Sequence, residues 1–156
     1  MALEIERKFL VRSDAWRADT GKASGLRQVY LATTEEASIR VRVIDDVLGR
    51  LTIKSSNAGL ERAEFEYTIP VDEALALMRL GVGTPIEKVR HTVLVEGFTW
   101  DVDVFEGANT GLILAEVELA QSDQNIVIPD WIGAEVTGDP RYYNSRLTLL
   151  PYSSWS

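Results

Sequence analysis

Charged and apolar residues alternate with a period of two in one segment after another of this sequence of 156 residues. In the first segment Glu4, Glu6 and Lys8 alternate with Ile5 and Phe9. This period is typical of β-strands, because successive side chains of a strand point to opposite faces of the sheet. Most later segments carry two like charges two residues apart; the pairs are Arg40/Arg42, Glu64/Glu66, Lys88/Arg90, Asp101/Asp103 and Glu116/Glu118, and Lys54 is single. The sequence therefore predicts mainly β-structure with one highly charged sheet face.

Eight strands are predicted, at about 3–11, 26–34, 37–45, 48–55, 61–69, 86–96, 98–105 and 112–120. Turn residues such as Asn57-Ala58-Gly59 separate them, and most connections are too short for parallel crossovers. Helices are expected only at Asp72–Leu80, from Ser13 through Trp16, after Ser122, and from Pro140 to about Leu149. We therefore expect a mainly β (α+β) fold with an antiparallel sheet.

The charged faces bear on the choice between a solvated β-sandwich and a closed barrel. Like charges two residues apart on a strand lie only about 7 Å from each other. Repeated pairs of this kind cost stability unless ligands or opposite charges on neighbouring strands compensate them. Eight strands can close around a small ligand. We therefore favour an eight-stranded antiparallel closed β-barrel, with the charged face inside and a few peripheral helices covering the apolar outer face.

Such an interior would hold basic and acidic side chains together. Arg and Lys bind phosphoryl oxygens, and clustered carboxylates select hard cations such as Mg²⁺ or Mn²⁺. The sequence has no cysteine and one histidine, His91, which excludes thiolate zinc sites, cysteine nucleophiles and multi-histidine metal sites. A polyphosphate with a divalent cation would neutralise both sets of charges. We therefore expect a small-molecule polyphosphate as substrate and Mg²⁺ or Mn²⁺ as cofactor.

Length and overall charge give the remaining expectations. The length predicts one domain, at 1–150, with a C-terminal tail at 151–156 in which Trp155 is expected to be poorly ordered. The net charge of −8 argues against broad nucleic-acid binding. No stretch approaches the roughly 18 apolar residues of a membrane span, and the N-terminus does not have the pattern of a signal peptide. We expect a cytoplasmic protein without nucleic-acid or membrane partners, either a monomer or a homodimer.

The N-terminal segment EIERKFL resembles the ExExK signature of the CYTH, or triphosphate tunnel metalloenzyme, superfamily. Further segments follow in that family's order and spacing and cover nearly the full length; they are IRVR at 39–42, LTIKS at 51–55, RAEFEY at 62–67, IEKVR at 86–90, DVDVF at 101–105, AEVEL at 115–119 and VTGDPRYYN at 136–144. The resemblance implies an eight-stranded tunnel that hydrolyses or cyclises triphosphates with Mg²⁺ or Mn²⁺. The chain is similar to the short bacterial inorganic tripolyphosphatases, which implies hydrolysis of tripolyphosphate to diphosphate and phosphate.

The resemblance also implies roles for individual residues. Glu4, Glu6 and Glu118 would hold the metal, with Glu116 or Asp103 assisting. The triphosphate would be bound by basic residues on three strands, namely Arg40, Arg42, Lys54, Lys88 and Arg90. Lys8 would orient or deprotonate the attacking water, and Arg141 would contact the phosphates from a tunnel mouth. Glu64 and Glu66 are favoured as salt-bridge partners of neighbouring basic residues, and Arg7 is expected to face away from the tunnel.

Several functions stay open on the sequence alone. Within the superfamily they are thiamine triphosphatase, nucleoside triphosphatase and class IV adenylyl cyclase, although no base-recognition pocket is visible in the sequence. Outside enzymes, the alternative is a non-catalytic polyphosphate-binding module. Glu4, Glu6 and Glu118 argue against that module, because a pure anion binder gains nothing from carboxylates.

Overall fold

The computed structural model describes residues 2–56 and 61–155. Its strands are β1 (Ala2–Val11), β2 (Thr20–Thr33), β3 (Ala37–Ile44), β4 (Leu48–Ser55), β5 (Glu61–Ile69), β6 (Val82–Val95), β7 (Phe98–Phe105), β8 (Ile113–Glu118) and β9 (Ile132–Glu135). Its α-helices are α1 (Val71–Met78) and α2 (Asn144–Leu147), and short 3₁₀ turns lie at Ala15–Asp19, Gly107–Asn109, Pro140–Tyr142 and Tyr152–Ser154. None of the helices in the described ranges is long and apolar enough to cross a membrane.

Eight of the strands close into an antiparallel barrel, as predicted. The order around the barrel is β1-β5-β4-β3-β2-β6-β7-β8, and β8 pairs with β1 to complete the ring. The N-terminal part of β1, Ala2–Ile5, pairs with β5, whereas its following part, Glu6–Leu10, pairs with β8. The ninth strand, β9, lies outside the ring and pairs with the C-terminal end of β1.

Three local predictions differ from the structure. Strands β2 and β6 begin several residues earlier than expected, at Thr20 and Val82, because the start of β2 pairs with the C-terminal half of β6 and the start of β6 pairs with β2 near Tyr30. The helix expected after Ser122 is wrong: the described chain has no helix there and forms the short strand β9 instead. The pairing of β9 with β1 joins residues far apart in sequence, so no local periodicity signals it. The turn expected at Asn57-Ala58-Gly59 lies outside the described residues.

The hydrophobic core lies outside the barrel wall. One cluster contains Trp16, Trp100 and Trp131 with the outward side chains of β1, β6, β7 and β8. A second cluster lies under α1, which packs on β3 and β4. Gly49 of β4 permits that packing, because a Cβ atom there would lie 2.8 Å from the Cβ of Ala74 in α1. Since the apolar side chains are buried outside, the wall can carry its charges on the inner face.

The C-terminal segment closes against one end of the barrel. Tyr142 and Leu147 are buried against Ile86, Phe105 and Leu114 in a third apolar cluster. Trp155, expected to be poorly ordered, is half-buried and packs edge-on against the Tyr142 ring with 5.2 Å between ring centroids. The tail is thus part of the packing that holds this segment in place.

Candidate active site

The inward side chains line a cavity of about 240 Å³ inside the barrel. Among the described residues its wall carries seven basic side chains, Lys8, Arg40, Arg42, Lys54, Arg62, Lys88 and Arg90. It also carries seven acidic side chains, Glu4, Glu6, Glu64, Glu66, Asp101, Glu116 and Glu118. The sequence alternation therefore selected the inner face correctly for nearly all of these residues, and Arg62 is the basic residue that it missed.

Most of the basic side chains lie on the opposite side of the cavity from the acidic ones, although Lys8 of β1 and Arg62 of β5 lie among the carboxylates. Strands β3, β4 and β6, together with β2 between β3 and β6, form what we call the basic arc, defined by Arg40, Arg42, Lys54, Lys88 and Arg90; β2 contributes no charged side chain to the cavity. Strands β5, β1, β8 and β7 form the acidic arc, which carries all seven lining carboxylates. An extended anion can lie along the basic arc while a cation lies between it and the acidic arc.

Asp103 is a buried partner of the basic arc and does not line the cavity. Its side chain is 1% exposed, and it accepts a hydrogen bond from Lys88 Nζ at 2.8 Å and a bidentate pair from Arg90 at 2.8 and 2.9 Å. Burial alone would raise the pKa of Asp103, but the charges of Lys88 and Arg90 hold that pKa well below its usual range. Register explains the contact, because Asp103 lies directly opposite Arg90 in the β6–β7 pair.

Arg40 and Arg42 of β3 are buried with few protein partners. Arg42 Nε donates to Gln28 Oε1 at 2.7 Å, and Arg40 Nη2 donates to Thr52 Oγ1 at 3.2 Å. Arg40 Nε is buried without a hydrogen-bond partner in the described structure. Burial, together with the charge of Arg40, lowers the pKa of Arg42 to about 9. These guanidinium groups therefore retain donors that an anionic ligand can satisfy.

Lys54 and Arg50 of β4 are paired with carboxylates from the acidic arc. Lys54 Nζ lies 2.9 Å from Glu4 Oε1 and 3.5 Å from Glu64 Oε2. Glu66 accepts from Arg50 Nη1 at 2.7 Å. The contacts of Glu64 and Glu66 agree with the salt-bridge role that the sequence favoured for them.

Lys8 lies on β1, within the acidic arc, and contacts the C-terminal segment. Its Nζ is 3.6 Å from Glu116 Oε1 and donates a hydrogen bond to the Tyr142 carbonyl at 3.2 Å. Although burial opposes the shift, the charges of Lys8 and Arg90 lower the pKa of Glu116 to about 2. Glu116 is therefore ionised throughout the neutral range and holds the Lys8 side chain inside the cavity.

Glu6 has a different environment from Glu116. It lies directly opposite Glu118 in the β1–β8 pair, so two like charges face each other across neighbouring strands. Burial, and then the charge of Glu116, raise the pKa of Glu6 to about 8. No three carboxylates within 2–56 and 61–155 are near enough to one another to form a ready metal cage. The donors are nevertheless all carboxylate oxygens, and this set fits a hard divalent ion, whose charge would favour the ionised form of Glu6.

The C-terminal segment supplies neutral side chains to the cavity that the sequence did not single out as ligands. They are Thr137, Tyr143, Asn144 and Ser145. Arg141, which the sequence placed at a tunnel mouth, does not line the cavity; its side chain is 66% exposed and pairs with Asp139 at 2.8 Å. Arg7 faces outward, as expected, and pairs with Glu135 of β9 at 2.7 Å.

Comparison with known proteins agrees with this architecture. The family model for the CYTH domain matches residues 2–143. An inorganic triphosphatase from Acetivibrio thermocellus is 46% identical over 156 residues, which is 99% of each chain. An inorganic triphosphatase from Nitrosomonas europaea is 38% identical over 149 residues, covering 94% of this chain and 97% of that protein. A crystal structure of an inorganic triphosphatase matches with a TM-score of 0.68 and 37% identity, over 96% of each chain. The charged barrel and its sequence thus belong to a protein of the CYTH domain family.

Proposed function

We propose that this protein hydrolyses inorganic tripolyphosphate to diphosphate and phosphate inside the barrel. The observation that carries the proposal is the enclosed cavity in which the basic arc faces the acidic arc. A linear polyanion accompanied by a divalent cation complements both arcs at once. The relatives named inorganic triphosphatase, similar over nearly the full length, support the same reaction.

In this proposal the basic arc binds the triphosphate. Arg40 and Arg42 line the cavity, and Arg40 Nε has no hydrogen-bond partner in the described structure. Hydrogen bonds from a guanidinium to a charged acceptor are strong. The other two strands of the basic arc add positive charge, from Lys54 on β4 and from Lys88 and Arg90 on β6. Asp103, considered as a metal ligand from the sequence, is instead proposed to orient Lys88 and Arg90, because its oxygens already accept their hydrogen bonds.

We propose Mg²⁺ or Mn²⁺ as the cofactor, held by Glu4, Glu6 and Glu118 with Glu116 nearby. The supporting observations are the all-carboxylate donor set and the facing of Glu6 and Glu118 on neighbouring strands. A bound divalent ion would neutralise charge on phosphate oxygens and orient the substrate. The protein supplies the position of the triphosphate and the charges that surround it, which is how phosphoryl transfer is chiefly catalysed.

Lys8 is proposed to orient the attacking water. Its Nζ lies near two acceptors, Glu116 and the Tyr142 carbonyl, which is the environment of an ammonium donor. From that position it can direct a water molecule towards a phosphoryl group bound on the basic arc. Lys8 would then contribute to the reacting geometry more than to the affinity for substrate.

The test is phosphate release from tripolyphosphate, ATP and thiamine triphosphate, each with Mg²⁺ and with Mn²⁺. We expect the highest kcat/KM for tripolyphosphate. Preference for ATP or thiamine triphosphate would replace the substrate assignment, and cyclic AMP formation from ATP would identify a cyclase. Tight binding of tripolyphosphate without phosphate release in any condition would favour a polyphosphate-binding module and refute the hydrolase.

A further inference from the structure

Strand β2 lies in the middle of the basic arc but contributes no basic side chain to the cavity. Its inward residue at the level of Arg42 is Gln28, which is fully buried and lies opposite Arg42 in the β2–β3 pair. A third cation at this position would repel both Arg42 and Lys88. A neutral amide avoids that repulsion, and it can also accept and donate hydrogen bonds at once.

Gln28 and Asn144 connect two residues of the basic arc. Gln28 Oε1 accepts from Arg42 Nε at 2.7 Å, and Gln28 Nε2 donates to Asn144 Oδ1 at 3.2 Å. The same Asn144 oxygen accepts from Lys88 Nζ at 2.9 Å. Arg42 and Lys88 have only donors, so they fix the direction of every bond in this chain. The amide network therefore has a single consistent hydrogen-bond arrangement.

Asn144 comes from outside the barrel wall. It is the first residue of α2, in the segment that packs on the end of the barrel through Tyr142 and Leu147. Thr84 at the start of β6 anchors the same segment, because its backbone N–H donates to the Thr148 carbonyl at 2.8 Å. At neighbouring Gly83 any larger side chain would collide with that carbonyl, so the segment docks closely. The docking delivers the Asn144 amide to Lys88.

We propose that Gln28 and Asn144 are positioning residues that hold Arg42 and Lys88 in the geometry that binds the triphosphate. The proposal rests on the proposed function, since it assumes that the basic arc is the substrate site. Without the amides, buried Arg42 would lose the acceptor of its Nε, and Lys88 would be left with its ion pair to Asp103, so neither side chain would be held in its present position. Burial already disfavours the charged form of Arg42, whose pKa it lowers to about 9. The amides therefore hold Arg42 and Lys88 without adding a further negative charge beside them, which a carboxylate at either position would do.

The test combines Asn144→Leu with a double-mutant cycle. Asn144→Leu removes the acceptor with little change in size, and hydrogen bonds to charged groups have strengths that correspond to about tenfold or more in affinity. We expect at least about a tenfold rise in the Kd for tripolyphosphate, measured by calorimetry in EDTA, and a comparable fall in kcat/KM. Arg146→Ala is the matched control, because Arg146 is an exposed residue of the same helix. It should leave both constants unchanged.

The cycle separates positioning from general loosening of the segment. In a Lys88→Met background, Asn144→Leu should change kcat/KM much less than in the wild-type background, because the residue on which it acts is gone. Thermal unfolding of all variants shows whether each one folds. If Asn144→Leu does not fold, Asn144→Ser replaces it, because serine is polar but too short to reach Lys88. An unchanged Kd in Asn144→Leu, or an equal loss of kcat/KM in both backgrounds, would overturn the proposal. A wild-type protein that neither binds nor hydrolyses tripolyphosphate would overturn the proposed function itself.

Discussion

Glu6→Gln should stabilise the metal-free protein at neutral and alkaline pH. Glu6 faces Glu118 across neighbouring strands, and burial and the charge of Glu116 raise its pKa to about 8. A carboxyl with a higher pKa in the folded than in the unfolded chain binds its proton more tightly when folded. The free energy of unfolding therefore falls as pH rises from the unfolded value of 4.5 towards 8. Below pH 4.5 the Glu6 carboxyl is protonated in both the folded and the unfolded chain, so it no longer makes the free energy of unfolding depend on pH.

The expected size follows from the same shift. A pKa difference of one unit corresponds to about 1.4 kcal/mol, so ionisable Glu6 lowers the free energy of unfolding at pH 7 by at most about 3 kcal/mol. Nearby carboxylates share this repulsion, and we expect about 1–3 kcal/mol between wild type and Glu6→Gln at pH 8. At pH 5 the two proteins should differ by less than about 1 kcal/mol.

The measurement is urea unfolding in EDTA at pH 5, 6, 7 and 8. Glu135→Gln serves as the control, because Glu135 pairs with Arg7 on the outside and that hydrogen bond lowers its pKa. The stability that Glu135 contributes is lost only as pH falls through its lowered pKa, so this control should not change the slope between pH 5 and 8. A pH-independent difference between Glu6→Gln and wild type, or a less stable Glu6→Gln at pH 8, would refute the reasoning.

Three further predictions concern the ligands. Lys8→Ala should lower kcat far more than it raises the Kd for tripolyphosphate measured without metal; a normal kcat with weak binding would make Lys8 a simple phosphate ligand. Arg40→Met should weaken tripolyphosphate binding without loss of thermal stability, because Arg40 Nε has no partner to lose. Arg90→Met should weaken binding and also destabilise the fold by about 3 kcal/mol, because it leaves buried Asp103 with one partner fewer. Arg7→Ala is the control that should leave binding unchanged, and equal losses in all three would contradict the assignment of the inner face. EDTA should abolish phosphate release and added Mg²⁺ or Mn²⁺ should restore it; full turnover in EDTA would reject the proposed cofactor.

The alternation of charge predicted the closed barrel because a strand has only two faces. Once Glu4, Glu6 and Lys8 were assigned to one face, the same period placed the charged residues of the other strands inside. It could not give the register between strands, and register decides the partner of each charge. Asp101 and Asp103 share a face, but only Asp103 lies opposite Arg90 and is buried there. The cytoplasmic location, the oligomeric state and the cofactor stay predictions.

Apart from Arg62, the site residues that the sequence missed are neutral, and their neutrality has a physical cause. Basic and acidic side chains are already in contact in pairs such as Lys54 with Glu4, and an uncharged amide can hold a basic side chain in place without adding a further negative charge beside it. Gln28 is such an amide on β2, a strand whose basic residues Lys22 and Arg27 do not line the cavity. Asn144 joins it from a segment without any strand periodicity, through tertiary packing alone. In a barrel with a charged interior, a strand that contributes no charged side chain to the cavity although both neighbours do is therefore itself a signal that its inward residue positions the neighbouring cations.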